Sequence, residues 1–319
     1  MKNLLMALAC ALVMPALACA QVYPTKPIRI VVGFTTGGAV DFTARLIGQK
    51  ITESLGQPVV IENRPGAATA IGTERVASAS PDGYTLLLIP TSTALQSALR
   101  KNLPYDLARD FATVSQLAVG PFALVVHPSL PVKSVKDLIA YARDNPAKLS
   151  VGSPGVGSAN HLAGELFNSR TKVSMLHVPY KGSGEAVIAV ASGQTPVSFP
   201  SMASVLPLIE SGRVRALAVT GIKRVSMLPN VPTLDESALP GYDYAAWYGV
   251  SVPAAVPKQI IARLNAALGK IVQMSDVREA FNRQGMEPQA STPEQFRALI
   301  LREIEQAGKL LQLAGIKTG

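Results

Sequence analysis

The sequence predicts an α/β protein of two doubly wound lobes joined by two crossover strands, and three observations carry that prediction. Strand and helix signals alternate almost to the end of the chain; two extended runs, 114–126 and 245–250, break the alternation; and a strand emptying into a glycine turn that opens a helix occurs twice. The runs read as crossings between lobes, because a helix due after a third parallel strand is replaced by more strand. The expected division is a leader over 1–20, a first domain of 21–120 plus 246–319, and a second of 121–245.

The first strand, turn and helix span 28–41, IRIVVGFTTGGAVD. Ile28, Ile30, Val31 and Val32 suit a strand covered on both faces, and Gly37 and Gly38 bring bare backbone close to whatever the turn meets. The helix behind them offers unpaired N–H groups and the positive end of its dipole, which favours a carboxylate or phosphate; an ordinary connection at a sheet edge fits these residues equally well. Val40, Ala44, Ile47, Ile51 and Leu55 keep helical spacing until Gly56 and Pro58 stop it. Strands at 59–61 and 85–89, a helix at 71–79 and turns at 63–66 and 81–83 follow. Thr91, Ser92 and Thr93 then stand at a strand's carboxyl end, where ligands of such sheets sit, or they cap a helix starting near Ala94.

Beyond the first crossing, 135–143 reads as helix and 149–151 as strand. Residues 152–167, GSPGVGSANHLAGELF, repeat the opening logic, with Ala159, Leu162, Ala163, Leu166 and Phe167 on one helix face and Ser158 as the cap. Strand or helix signals continue at 173–178, 185–191, 196–199, 201–210 and 216–219, and Lys181 is the cation on a strand-end turn, facing either the cleft or solvent. Residues 229–241 read as irregular. The chain ends in helices whose apolar faces carry Ile260, Leu264, Ala267 and Ile271, then Phe296, Ile300, Ile304, Ala307 and Leu311.

Composition narrows function by exclusion. Residues 1–20 carry one lysine, an apolar stretch and a small-residue ending at Ala18, Cys19 and Ala20, the pattern of a secretory signal cleaved before Gln21; a lipid anchor on Cys19 is the lesser alternative. Both cysteines, Cys10 and Cys19, lie there, so the exported chain is expected to rest on its core and not on disulfides. Loss of Lys2 lowers the formal charge from +9 to +8, and the remaining basic residues are scattered, with no basic run. That pattern fits long-range steering of small anions and not a nucleic-acid surface. Neither glycine turn matches a nucleotide fingerprint: the second reads G-x-x-G-x-G, and no Gly-Lys-Ser/Thr follows either. Neither Ser153 nor Ser158 occupies a G-x-S-x-G elbow, and His127 and His177 have no ligand-spaced carboxylate or cysteine. No cofactor, metal or catalytic group is expected. His161, in the first turn of the second glycine-opened helix, reads as a capping or supporting group or as a ligand donor.

Ordered blocks then point to a family. YPTKPIRIVVGF (23–34), GGAVD (37–41), GQPVVIENRPGA (56–67), PDGYTLLL (81–88), GSPGVGSANH (152–161), VPYKG (178–182), SGRVRALAVT (211–220), LPNVPTLDE (228–236) and PGYDYAAWYG (240–249) resemble the periplasmic substrate-binding proteins of tripartite tricarboxylate transporters, the Bug family, over essentially all of the exported chain. The resemblance implies a monomeric Venus flytrap of the type II periplasmic binding protein kind, which captures a small carboxylate and delivers it to membrane permease subunits. It also implies a pincer of two glycine turns on one carboxylate. Phe34, Thr35, Thr36, Gly37, Gly38, Ala39 and Asp41 would come from the first turn, Ser153, Gly155, Val156, Gly157, Ser158 and His161 from the second. Thr91, Ser92, Pro200, Ser201 and Met202 are expected at the ligand's distal end. As an acid just inside a helix start, Asp41 reads best as a group that fixes the turn's own N–H groups.

Two departures from the family pattern stand out. Thr35 and Thr36 occupy positions usually held by proline or alanine, so their hydroxyls are expected to donate to the carboxylate or to replace a bridging water. Gln194, Thr195, Pro196 and Val197 stand where an acidic residue commonly follows a valine, so a distal contact carried over at Pro196 is open. The alternatives are an orphan sensor acting through a membrane signalling partner and an exported enzyme using Asp41 or His161. Which acid is bound, from citrate-like to aromatic carboxylates, is not legible in the sequence.

Overall fold

The computed structural model describes residues 23–146 and 148–313, and the expected leader lies outside them. The first lobe opens with β1 (Ile28–Val32), which leads through the glycine turn into α1 (Ala39–Leu55), β2 (Val59–Asn63), a short 3-10 turn, α2 (Ala70–Ala77), β3 (Thr85–Pro90) and α3 (Thr91–Leu99). β4 (Phe111–Pro121) then runs directly into β5 (Ala123–Val126) of the second lobe. That lobe continues with α4 (Val135–Asp144), β6 (Ser150–Ser153), α5 (Ala159–Thr171), β7 (Leu176–Pro179), α6 (Ser183–Ala191), β8 (Val197–Ser198), α7 (Met202–Glu210) and β9 (Arg215–Val219). After the short α8 (Leu234–Ser237), β10 (Ala245–Pro253) returns to the first sheet, and α9 (Lys258–Gln273), α10 (Ser275–Asn282), β11 (Glu287–Pro288) and α11 (Pro293–Leu313) follow.

The first sheet has the order β11-β4-β10-β3-β1-β2 and the second β7-β6-β8-β5-β9. Each keeps a parallel core, β2-β1-β3 in one and β7-β6-β8 in the other. The crossing strands add antiparallel pairs: β10 against β3 and β4, β5 against β8 and β9. Burial follows the strand period. Ile30, Val32, Leu86 and Leu88 face one apolar cluster, while Val31, Leu87 and Ile89 face another that includes Trp247 and Phe296. With both faces covered, the strand ends and the turns that leave them become the place where backbone is free to meet a ligand.

Local signals explain most boundaries. α1 ends on Gly56 in the left-handed conformation, φ 75°, and the Ser158 hydroxyl caps α5 by accepting from the His161 N–H. Several boundaries shift by a few residues from the sequence expectation, as where the strand expected over 173–178 runs Leu176–Pro179, and two differences have a clear local cause. α3 begins at Thr91, not near Ala94, because Pro90 already holds an extended cap and the Thr91 hydroxyl accepts the Trp247 N–H at 2.8 Å, pinning the first turn to β10. The irregular segment 229–241 contains α8, held by a capping box in which Thr233 and Glu236 satisfy each other's backbone N–H groups.

The two crossings are stitched together by one side chain. Thr220, fully buried, accepts from the Phe122 N–H at 2.8 Å and donates to the Tyr244 carbonyl at 2.7 Å. Its own N–H donates to Phe122 O, and its carbonyl accepts from the Tyr244 N–H, each at 2.9 Å. Residues just past β4 and just before β10 are thereby joined at the waist between the lobes.

Candidate functional site

Five helices begin at one narrow cavity between the lobes. Ala39 and Val40 bring the start of α1 and Thr91 and Ser92 that of α3, all from the first lobe; Ala159 and Asn160 bring α5, Ser183 α6 and Ser201 the cap of α7 from the second. Phe34, Pro90, Phe122, Ala246 and Tyr248 complete the walls. The cavity is narrow, with about 300 Å³ of space between its walls, part of it open to solvent. Among the described residues, no Asp, Glu, Lys, Arg or His lines it. The positive end of a helix dipole and its unpaired first-turn N–H groups therefore supply the local field, and that field favours an anion. At α1 the cap Gly38 offers no side chain, and the N–H groups of Ala39 and Val40 meet no acceptor among the described residues.

The turn that aims α1 is braced from behind. Asp41 accepts from the Gly37 N–H at 3.2 Å, from Arg45 Nε and Nη2 at 3.0 Å, and from Asn63 Nδ2 at 3.0 Å, while Asn63 Nδ2 also reaches the Phe34 carbonyl. Burial works against ionisation of Asp41, but these hydrogen bonds outweigh it and hold the carboxyl below its ordinary range. With its oxygens so engaged, Asp41 fixes the turn.

Two of the places where the lobes meet in this structure are seams built on the glycine turns. In one, the first glycine turn lies against the start of α6. A Cβ on Gly38 would come within 3.1 Å of Ser183 Cβ, one on Gly184 within 3.1 Å of the Thr36 carbonyl, and one on Gly182 would overlap the Thr35 hydroxyl. In the other, the second glycine turn lies against α3. Gln96 Nε2 donates to the Val156 carbonyl at 2.9 Å and the Ala159 N–H donates to Ser92 Oγ at 3.0 Å. Gly157, with φ 74°, sits where a Cβ would overlap the Gln96 amide and press on Leu99.

Two histidines support the second turn. The Gly157 N–H donates to His161 Nδ1 at 3.1 Å, Ser153 Oγ lies 2.6 Å from His177 Nε2, and the two rings stack 3.7 Å apart. Burial, with the His161 ring beside it, pushes the His177 pKa down to about 3, so the imidazole is neutral and serves the turn's internal bonding. A serine–imidazole contact alone is not hydrolytic machinery: Ser153 is buried away from the cavity, and no carboxylate hydrogen-bonds His177 among the described residues. No group of three or more His, Cys, Asp or Glu that could hold a metal occurs among the described residues either.

The structure thus sorts the residues that the sequence singled out. Phe34, Ala39, Thr91, Ser92 and Ser201 line the cavity. Thr35, Thr36, Gly37, Gly38 and Asp41 form or brace the first turn without lining it, and Ser153, Gly155, Val156, Gly157, Ser158 and His161 belong to the second seam. Pro200 accepts the Ala123 N–H through its carbonyl, and Met202 is packed in the second lobe's core, so neither lines the cavity. Lys181 is exposed. Among the lining residues that sequence reasoning missed are Asn160, Ser183, Phe122 and Tyr248. Asn160 and Ser183 carried a usable signal, since each stands in the first turn of a helix that follows a glycine turn.

A family model described as "Tripartite tricarboxylate transporter family receptor" matches residues 43–316. The chain belongs to this family. The receptor is 37% identical over 300 residues to protein BugT of Bordetella pertussis, which covers 93% of this chain and 92% of BugT. Among solved structures it resembles an R. palustris protein solved with adipate, at TM-score 0.90 and 36% identity over 92% of this chain and 99% of that one. It also resembles MatC of Rhodopseudomonas palustris with bound malate, at TM-score 0.85 and 32% identity over 91% and 100% of the two chains. The family consists of periplasmic solute-binding receptors, not enzymes, with the periplasmic binding protein fold seen here.

Proposed function

We propose that this receptor captures a small carboxylate, whether a di- or tricarboxylate, an acidic amino acid or an aromatic carboxylate, and delivers it to the permease subunits of a tripartite tricarboxylate-type transporter. It would do so as a periplasmic monomer, after export through its leader. The observation that carries the reading is the convergence of five helix starts on a cavity without charged side chains. Each helix end contributes about 0.3–1 kcal/mol toward an anion, and each charge-assisted hydrogen bond about 1.5–3 kcal/mol. A micromolar affinity needs about 8 kcal/mol net, within reach of a few such contacts after the cost of immobilisation.

Adipate and malate in two structural neighbours support the carboxylate end of this reading. Within the class, the narrow cavity walled by Phe34 and Phe122 favours a short aliphatic chain between carboxylates. Because the cavity is built from both lobes, a ligand touches all of its walls only when they are shut, which gives a permease a distinct state to recognise. The test is a thermal-shift screen of the receptor against adipate, malate, citrate, glutamate and terephthalate. An acid present at 100 times its dissociation constant stabilises by about 2.7 kcal/mol and raises the melting temperature visibly. A shift by neutral sugars or amines, with none from any acid, would overturn the proposal.

A further inference from the structure

The first seam contains a polar group that no other described residue satisfies. Thr35 Oγ1 is buried without a hydrogen-bond partner among the described residues, and it is pressed on Gly182 of the opposite lobe. Thr35 does not line the cavity. Its hydroxyl is covered by a residue that the second lobe supplies, so opening the lobes returns it to water, where it is fully hydrogen-bonded. The other seam has no such defect, since its facing polar groups pair with one another.

We propose that Thr35 is a positioning residue that holds the receptor back from full closure, by burying an unsatisfied hydroxyl against Gly182 each time the lobes shut. Closure then costs free energy at this point, and the ligand's contacts must exceed that cost. The consequence is a receptor biased toward the open, loadable and releasable state. Glycine at 182 is the complementary half of the device: its extended backbone, φ −169°, would accept any residue, but its Cα has room only for hydrogen, because a Cβ would lie 2.9 Å from Thr35 Cβ as well as on the hydroxyl. The proposal rests on the reading that the lobes open and shut. It also reverses the sign of the simpler expectation that Thr35 donates to the ligand.

Distances between spin labels measured by pulsed electron paramagnetic resonance test it without any ligand. Labels go on Val60→Cys and Ile188→Cys, exposed positions on opposite lobes, in a background carrying Cys10→Ser and Cys19→Ser. Thr35→Ala should raise the closed-to-open ratio about fivefold or more, as loss of a buried unpaired hydroxyl implies. Thr35→Ser, which keeps the hydroxyl, should leave the ratio within about twofold. Gly182→Ala should shift the population toward open, and Thr35→Ala in that background should recover part of the loss, a non-additivity expected only of residues in contact. Two populations unmoved by Thr35→Ala, or moved toward open, would overturn the restraint while leaving lobe motion intact. A single population in every variant would overturn both, whereas a carboxylate screen bears on the ligand reading alone.

Discussion

The two seams that close the receptor are built from the same parts and solve the same problem differently. Each sets a glycine turn of one lobe against a helix of the other, α6 at its start and α3 along its length. The seam of Gly157 and α3 is bonded, with Gln96 holding the Val156 carbonyl and Ser92 receiving the Ala159 N–H. The seam of Thr35 and α6 is a fit of surfaces, in which Gly38, Gly182 and Gly184 provide clearance and one hydroxyl goes unpaired. The difference teaches that a shut state can be held at one edge and restrained at the other, so that net closure remains small and a ligand can decide it.

The comparison breaks most completely at Gly157. Gly157→Ala introduces a Cβ where Leu99 Cδ2 would lie 2.5 Å away and places an L-residue at φ 74°. Overpacking across the seam of about 1–3 kcal/mol should weaken carboxylate affinity by roughly 5- to 150-fold, measured by calorimetry, while left-handed strain of about 1–2 kcal/mol lowers the stability of open and shut states alike. Asp41→Ala should come next, because it releases the turn that gives the bare seam its shape. We expect a loss of about 2 kcal/mol in urea unfolding at neutral pH, with the share from half-exposed Arg45 reduced by solvent screening. The sign with pH follows from the depressed carboxyl: the contribution of Asp41 is present above its ordinary value of 3.8 and lost as pH falls through the lower folded value. Wild type and variant should therefore converge once pH falls below the depressed folded value, and a gap that persists in that limit would mean that Asp41 acts through packing alone. The smallest effect is expected from Gln96→Ala, which removes one neutral hydrogen bond from the bonded seam and should weaken affinity about two- to tenfold, chiefly through faster ligand release.

Much of this architecture was legible because its signals are local. The apolar run of β1, the helical spacing that Gly56 ends and the Ser158 cap each depend on residues within a few positions of one another. The crossing strands were also visible as strands, but not their antiparallel pairing, which depends on partners distant along the chain, such as Tyr248 opposite Pro90. The site followed the same division. Glycine turns announce a place where backbone can meet a ligand, and the start of α1 does line the cavity. Which turn faces which was not readable: Thr35 meets Gly182 and Gly157 meets Gln96 because of how the lobes dock, and no spacing in the sequence encodes that. Tyr248 and Phe122 lie on the crossing strands or beside them, so their periodicity reads as core, and only the waist between the lobes turns them into cavity walls.

A pocket lined by helix starts and empty of formal charge also bears on how a bound ion would leave. A lysine or arginine carries its full charge wherever it swings, and it can follow an anion outward. The partial charge at a helix start is fixed to the backbone and fades within about one turn. On the proposed function, separation of α1 and α3 from α5, α6 and α7 would take the attractive field apart instead of neutralising it. Unloading then needs no proton and no competing cation, only distance.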